Sequence, residues 1–369
     1  MTSRTALVLI PPVLALFVLL GCVASPRADL RQAEKFEASL RAELSSRRIE
    51  GVERNRRRIA DLASASDVPA GVAYAVSWLP GKQSGVSSKP SVADMTAALR
   101  AAFAAPVDLL VVTDPGFSWS ISEPLVIDGP KQILIENGCI ISAAEGYFRG
   151  TGESLLTVRG PRLKLLSGYG ARLSMRGYDY RSYRYESSQW RHGLALFETD
   201  GLVVEGLEIR DTGGDGVYVG QKRGKPPCKD LELRDLRLIS NHRQGVSVIA
   251  ADGFLMEWCL ATLTRGHLPQ AGIDFEPNAG TWGLDRCVVR SCILELNSGA
   301  ALNVHPTKLG KSGRPVSIRV EASLLAGYPL ALWARGMEGG VRGKLEIVDS
   351  VMRGVKTIQK TRDFSVELR

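Results

Sequence analysis

Asp274 and Glu276, two positions apart, and Asn303 and His305 at the same spacing are the residues of this 369-residue sequence best placed to do chemistry. They sit in strings that alternate apolar and polar, Gly272-Ile273-Asp274-Phe275-Glu276 and Ala301-Leu302-Asn303-Val304-His305. In a strand, period-two alternation sends Asp274 and Glu276 to one face and Ile273 and Phe275 to the other. Two carboxyl groups on one face are what glycoside hydrolysis requires. Cα atoms two residues apart on a strand are separated by ~6.6 Å. That suits the ~6.5–9.5 Å of an inverting pair, and side-chain rotation shortens it toward the retaining range. His305, beside Glu276, is expected to adjust its protonation by hydrogen bonding. Asp215, in the turn before Tyr218, can stand in for either carboxyl partner.

The elements that must position these groups repeat. Gly193-Leu194-Ala195-Leu196-Phe197, Gly216-Val217-Tyr218-Val219-Gly220, Gly245-Val246-Ser247-Val248-Ile249 and Pro329-Leu330-Ala331-Leu332-Trp333 share the same pattern. The first apolar residues stand at 194, 217, 246, 273, 302 and 330, steps of 23, 29, 27, 29 and 28. Such a period marks a solenoid of stacked units rather than independent strands. In register, one outward column reads Ala195, Tyr218, Ser247, Asp274, Asn303, Ala331. The other reads Phe197, Gly220, Ile249, Glu276, His305, Trp333. Asp274, Glu276, Asn303 and His305 then form a polar square with aromatic edges, suited to sugar hydroxyls and ring faces. Tyr218, Arg243, Gln244, Ser247, Asn303 and Gln270 are the candidate substrate contacts. A one-residue register error would turn Asp274 inward.

At its start the chain carries Arg4 and an apolar run from Ala6 to Leu20, too short for a comfortable membrane span and typical of an export leader. Residues 1–21 are expected to be that leader. Leu19-Leu20-Gly21-Cys22 resembles a bacterial lipobox, which implies lipidation at Cys22, a membrane attachment through the lipid, and a location in the cell envelope. Residues 22–90 are expected to be a basic tether and linker, a solvated helix or a disordered segment. Between Val23 and Ala60 lie ten Lys or Arg and six Asp or Glu, so this stretch supplies +4 of the formal +8. The remainder is nearly balanced, and no nucleic-acid partner is expected outside the cytoplasm. Ser91-Val92-Ala93-Asp94 reads as a capped helix start, a cover for the open end of the solenoid. Strand-like runs follow at 109–112, 125–127, 133–135, 139–141, 155–158 and 163–166, and the β domain is expected to span 91–369. The five cysteines after Cys22 lack a CxxC pair and read as buried free thiols, Cys259 and Cys292 sharing one inward position. His192 and His242 have no partner at transition-metal spacing.

Gly213-Gly214-Asp215-Gly216-Val217-Tyr218-Val219-Gly220, Asn241-His242-Arg243-Gln244-Gly245-Val246-Ser247-Val248-Ile249 and Pro269-Gln270-Ala271-Gly272-Ile273-Asp274-Phe275-Glu276-Pro277-Asn278 resemble the coils of bacterial repeat proteins in the pectate-lyase-like superfamily. The resemblance implies an all-β fold, a single-stranded right-handed parallel β-helix with an N-terminal capping helix, and a polysaccharide or glycan ligand. Its reaction is left open. The Gly-His-Gly of polygalacturonases is absent, Gly266-His267 being followed by Leu268, and so is the Asp-Pro-His of alginate epimerases. Three readings stand: a hydrolase using Asp274 and Glu276; a lyase using Arg243, Arg265 or Arg335 as base, with Ca²⁺ on Asp215, Asp274 and Glu276; and a binding protein without chemistry. The Tyr178–Tyr185 insertion can stack on sugar rings in any of them.

Overall fold

The computed structural model describes residues 26–64, 68–80, 89–311 and 313–369. The leader and Cys22 lie outside the described residues. The chain is a right-handed parallel β-helix. Each full coil gives three short strands, in one instance Leu194–Phe197, Val203–Glu205 and Glu208–Arg210. Each pairs in parallel with its equivalents one coil before and one coil after. Strands form at the sequence's apolar runs, including Leu109–Val112 and Leu125–Ile127.

Inward residues such as Leu194, Leu196, Val204 and Ile209 are fully buried and stack with their counterparts into one continuous core. The coil cannot bury these faces alone, so stacking is what stabilises it. Turn asparagines do part of this work. Asn297 accepts from Thr264 N–H at 3.1 Å and donates to Ala261 C=O at 3.1 Å, tying its turn to the previous coil. Asn297→Ala leaves both backbone groups buried and unpaired, an expected loss of about 2–4 kcal/mol, read as a lower midpoint in urea unfolding.

Helix α2, Val92–Ala104, starts with a reciprocal capping box between Ser91 and Asp94 and buries Met95, Leu99 and Phe103 against the first coils. It is the cap that the sequence suggests. The strand rows begin earlier than residue 91, however: Val72–Tyr74 pairs with Leu109–Val111.

Residues 26–64 form one 39-residue helix, α1, which is neither a disordered tether nor a freely solvated helix. It lies along the solenoid. Arg41 bonds Glu295 as well as Glu37, Arg47 bonds Asp235 at 2.9 Å, Arg353 reaches Glu37 at 2.9 Å, and the buried Asn55 donates to Ile135 C=O at 2.8 Å. Arg41 and Arg47 are six residues apart, about 9 Å along a helix. Their partners lie two coils apart, about 9.6 Å at the inter-strand spacing. Two of the basic residues that make α1 read as solvated, Arg41 and Arg47, are thus matched to carboxylates on the coils. Leu40 packs beside Ile293 and Leu324, and Ile59 beside Val111 and Leu134. Among the described residues, no helix is long and apolar enough to cross a membrane.

Cys139, Cys228, Cys259, Cys287 and Cys292 are buried and free. Cys259 N–H meets Cys292 Sγ at 3.5 Å, which puts those two thiols on adjacent coils.

Candidate functional site

Strand pairing aligns Tyr218 with Ser247, Ser247 with Asp274 and Asp274 with Asn303. That column follows from the period and is as expected. The next coil is not. Asn303 pairs with Trp333, because Leu302 meets Leu332 and not Leu330, a two-residue slip. Register shifts within the long Leu324–Ala334 strand accompany it. Trp333 therefore belongs to the Asp274 column, and Arg335 takes the place beside His305.

Half of the predicted polar square, Asp274 and Asn303, is sealed from solvent. Asp274 is 0 % exposed, and Asp215, Gln244, Ser247 and Asn303 are likewise buried. Asp274 Oδ2 accepts from Gln244 Nε2 at 2.8 Å and Oδ1 accepts from Asn303 Nδ2 at 2.6 Å. Gln244 is held in turn, its Oε1 accepting from Ala271 N–H at 2.7 Å. The expectation that these groups face a ligand is thus corrected: Gln244 and Arg243 fold over the column from the turn preceding it. Gln270 donates its amide to Gly266 C=O at 3.3 Å within its own loop.

Arg243 sits between carboxyl groups. Its Nη1 is 3.5 Å from Asp215 Oδ2, its Nη2 3.1 Å from Glu276 Oε2, and Nη1 also donates to Ser247 Oγ at 3.3 Å. A guanidinium thus fills the place expected of Ca²⁺ between Asp215 and Glu276, and Asp274 is closed off beneath. Those three acids do not fit a calcium site, and no metal-binding cluster occurs among the described residues. Arg243, engaged with two carboxyl groups, is not a free base. His192 Nδ1 accepts from Asp215 N–H at 3.0 Å, so that nitrogen has no proton to give the Asp215 side chain. The imidazole instead supports Tyr218, their rings stacked 4.5 Å apart and 11° from parallel.

What faces solvent is a row across three coils: Glu276, His305, Arg335. Backbone hydrogen bonds keep it in line, His305 N–H to Phe275 C=O at 2.9 Å and Arg335 N–H to Val304 C=O at 3.0 Å. Glu276 and His305 side chains are 30 % and 27 % exposed, with Glu276 Oε1 3.4 Å from His305 Nδ1. If Glu276 accepts the Nδ1 proton, Nε2 keeps a free lone pair, the arrangement of an oriented general base. The Arg335 guanidinium lies 3.5 Å over the Trp333 ring and makes no ion pair among the described residues; its Nε has no acceptor.

The two carboxyl groups beneath and within this row differ in charge state. Burial, with the Glu276 charge nearby, pushes Asp274 up to about 8. Glu276 is held below the usual carboxylate range, first by its hydrogen bond to His305 and then by Arg243, with a further hydrogen bond from Asp274. Asp274 thus keeps a proton at neutral pH while Glu276 is ionised. Tyr218, pushed up to about 12 chiefly by burial, stays a phenol.

Sequence reasoning missed the loops that follow the site strands. Segments 221–227, 277–283 and 305–315 carry Lys222, Arg223, Lys225, Lys308, Lys311 and Arg314 and no Asp or Glu. Arg223, Lys225, Trp282 and Arg314 line a hollow of about 900 Å³ at that edge. The signal was available as a local run of one charge sign, hidden by the nearly balanced average.

No protein-family model matches the chain, and no curated protein matches it. Among solved structures it is similar to the pectate lyase Pel9A, at 13 % identity over 68 % of this chain and 56 % of that one, with a TM-score of 0.37. The chain thus spans little more than half the length of that enzyme. It is also similar to the Dettilon tailspike protein, 10 % identical over 81 % and 68 % of the two chains, TM-score 0.48. An alginate lyase from Paenibacillus sp. str. FPU-7 is 14 % identical over 74 % and 96 %, TM-score 0.45. Similarity of this degree assigns no residue a role.

Proposed function

We propose that this chain cleaves an anionic polysaccharide by β-elimination, with His305 as the proton-transferring group. The carrying observation is the exposed Glu276–His305–Arg335 row, flanked by Trp333 and basic loops. Arg335 holds the sugar carboxylate and Trp333 supports the ring face. Neutralising that carboxylate acidifies the adjacent C–H. His305 Nε2 takes this proton, the electron pair of the broken C–H bond becomes the new C=C bond, and the neighbouring C–O bond to the leaving sugar breaks. The imidazolium formed, stabilised by Glu276, returns the proton to the leaving oxygen. One group serves as base and then acid, so no second exposed carboxyl is needed.

A second reading is hydrolysis through Asp274 and Glu276, favoured by the separation of their proton affinities. Burial of Asp274 beneath two amides weighs against it. A panel of anionic polysaccharides tests the proposal: elimination releases unsaturated products that absorb ultraviolet light. New reducing ends without absorbance indicate hydrolysis, and no products from any anionic polymer overturn the assignment.

Gly336 gives a separate check. Its φ is +76°, and a Cβ there would collide with Thr307 Oγ1 and the His305 ring. Gly336→Ala is expected to displace the imidazole and lower kcat about a hundredfold, with polymer binding retained. Steady-state turnover and affinity electrophoresis on the same glycan measure both effects.

The reading puts this reaction outside the cytoplasm, following the leader and Cys22 lipidation expected from the sequence.

A further inference from the structure

On a different strand row, α1 and the flank of the solenoid enclose a crevice of about 440 Å³. That is within the usual size of small-molecule sites, about 300–1,000 Å³. Leu44 of α1 and Trp258, Leu260 and Ile293 of the coils give it apolar walls; Arg41, Arg48 and Arg237 bring positive charge, and the one lining carboxylate, Asp235, is already paired with Arg47.

Arg48 and Arg237 differ from the arginines that dock α1. Arg41 has Glu37 and Glu295, and Arg47 has Asp235. Arg48 makes no ion pair among the described residues, and its Nη1 is buried without an acceptor. The Nε of Arg237 is also buried and without an acceptor, its nearest carboxylate oxygen being Glu208 Oε2 at 3.7 Å. Glu208 is already bonded by Arg172 Nε at 2.8 Å and approached by Arg210 at 3.6 Å. One carboxylate is thus spread over several guanidiniums. Burial, with Arg237 beside it, pulls Arg48 below its ordinary range. Arg237 keeps 41 % of its side chain exposed and its contact with Glu208 is long, so its guanidinium is open to donate charge-assisted, bidentate hydrogen bonds to an incoming oxyanion.

We infer that this crevice binds a small anionic amphiphile, its carboxylate or phosphate group on Arg48 and Arg237 and its hydrocarbon chain along Leu44, Trp258, Leu260 and Ile293. The polar and apolar halves of the site call for both halves of such a ligand. A simple anion leaves the apolar walls unfilled, and an uncharged chain leaves the arginines unmet. This inference is independent of the glycan site.

Calorimetric titration of the full chain with laurate, dodecyl phosphate and uncharged dodecanol, each below its aggregation limit, tests it. One anion at least is expected to bind at a single site about tenfold or more tighter than dodecanol. Tighter laurate indicates a fatty-acid ligand, and tighter dodecyl phosphate a phosphate-headed lipid. Arg48→Gln with Arg237→Gln is expected to weaken anion binding about tenfold or more. Ser45→Trp, at an exposed position lining the crevice, fills the space with both arginines retained and is expected to abolish binding. Should the double variant fail to fold, Ser45→Trp alone decides. Absence of anion binding, equal binding of dodecanol, or undiminished binding in Ser45→Trp overturns the inference.

Discussion

Glu276→Gln is expected to lower turnover of the polysaccharide substrate by about a hundred- to ten-thousandfold, the range associated with loss of general acid–base assistance. The amide keeps the size of the side chain and removes its charge. The Gln oxygen still accepts from His305 Nδ1, but the negative charge that stabilises the imidazolium formed on proton abstraction is gone. Arg243 retains Asp215 as an ionic neighbour, so the local packing should survive. Substrate affinity, carried in this account by Arg335, Trp333 and the basic loops, is expected to change about threefold or less, under ~1 kcal/mol. Stopped-time product assays and equilibrium binding to the same glycan separate the two effects. Parallel loss of binding and turnover would assign Glu276 to substrate capture instead of proton chemistry.

Asp274 makes the second large expectation, in the pH dependence of stability. Its folded-state pKa lies at about 8, above the ordinary value of 3.8. Below about pH 4 the carboxyl is protonated in both folded and unfolded chains, and its contribution is fully present. Between there and about pH 8 the unfolded chain releases the proton while the folded chain retains it. The unfolding free energy then falls by up to about 1.4 kcal/mol per pH unit from this group, levelling off above the folded pKa. Glu276 acts in the opposite sense, its lowered pKa giving stability that is lost only as pH falls through the acid range. Asp274→Asn should therefore flatten the decline between pH 5 and 8 and leave the variant more stable than the parent at pH 8. The substitution can be accommodated: Asn303 Oδ1 is buried without a donor and can accept from the new amide once the Asn303 side chain turns over. Urea unfolding of both proteins across this interval measures the difference. Identical slopes would show that Asp274 is ionised in the folded chain.

The Tyr218, Ser247, Asp274 and Asn303 column was legible because two periods coincide, alternation along each strand and a steady step between coils. Glu276 beside His305 followed from the same arithmetic. Trp333 was displaced from its predicted neighbour His305, and Arg335 took that place, because the repeat measures sequence spacing, whereas the pairing there advances 30 residues, from Leu302 to Leu332. Burial of Asp274 was not legible. Facing outward from a coil and facing solvent are different things when Gln244 and Arg243, from the turn before the preceding strand, fold over the column. For α1, charge distributed around the helix normally signals solvation. Arg41 and Arg47 become docking residues only once Glu295 and Asp235 are stacked two coils apart. A long-range match of that kind has no local sequence signature.

Water labelled with heavy oxygen distinguishes elimination from hydrolysis of the polymer. The protein is incubated with an anionic polysaccharide in such water, and the products are weighed by mass spectrometry before label can exchange into their reducing ends. Elimination at His305 predicts unsaturated ends, fragments lighter by one water than hydrolytic products, and no heavy oxygen introduced by cleavage. Heavy oxygen at the newly formed end, on saturated products, would contradict that account and return the chemistry to Asp274 and Glu276.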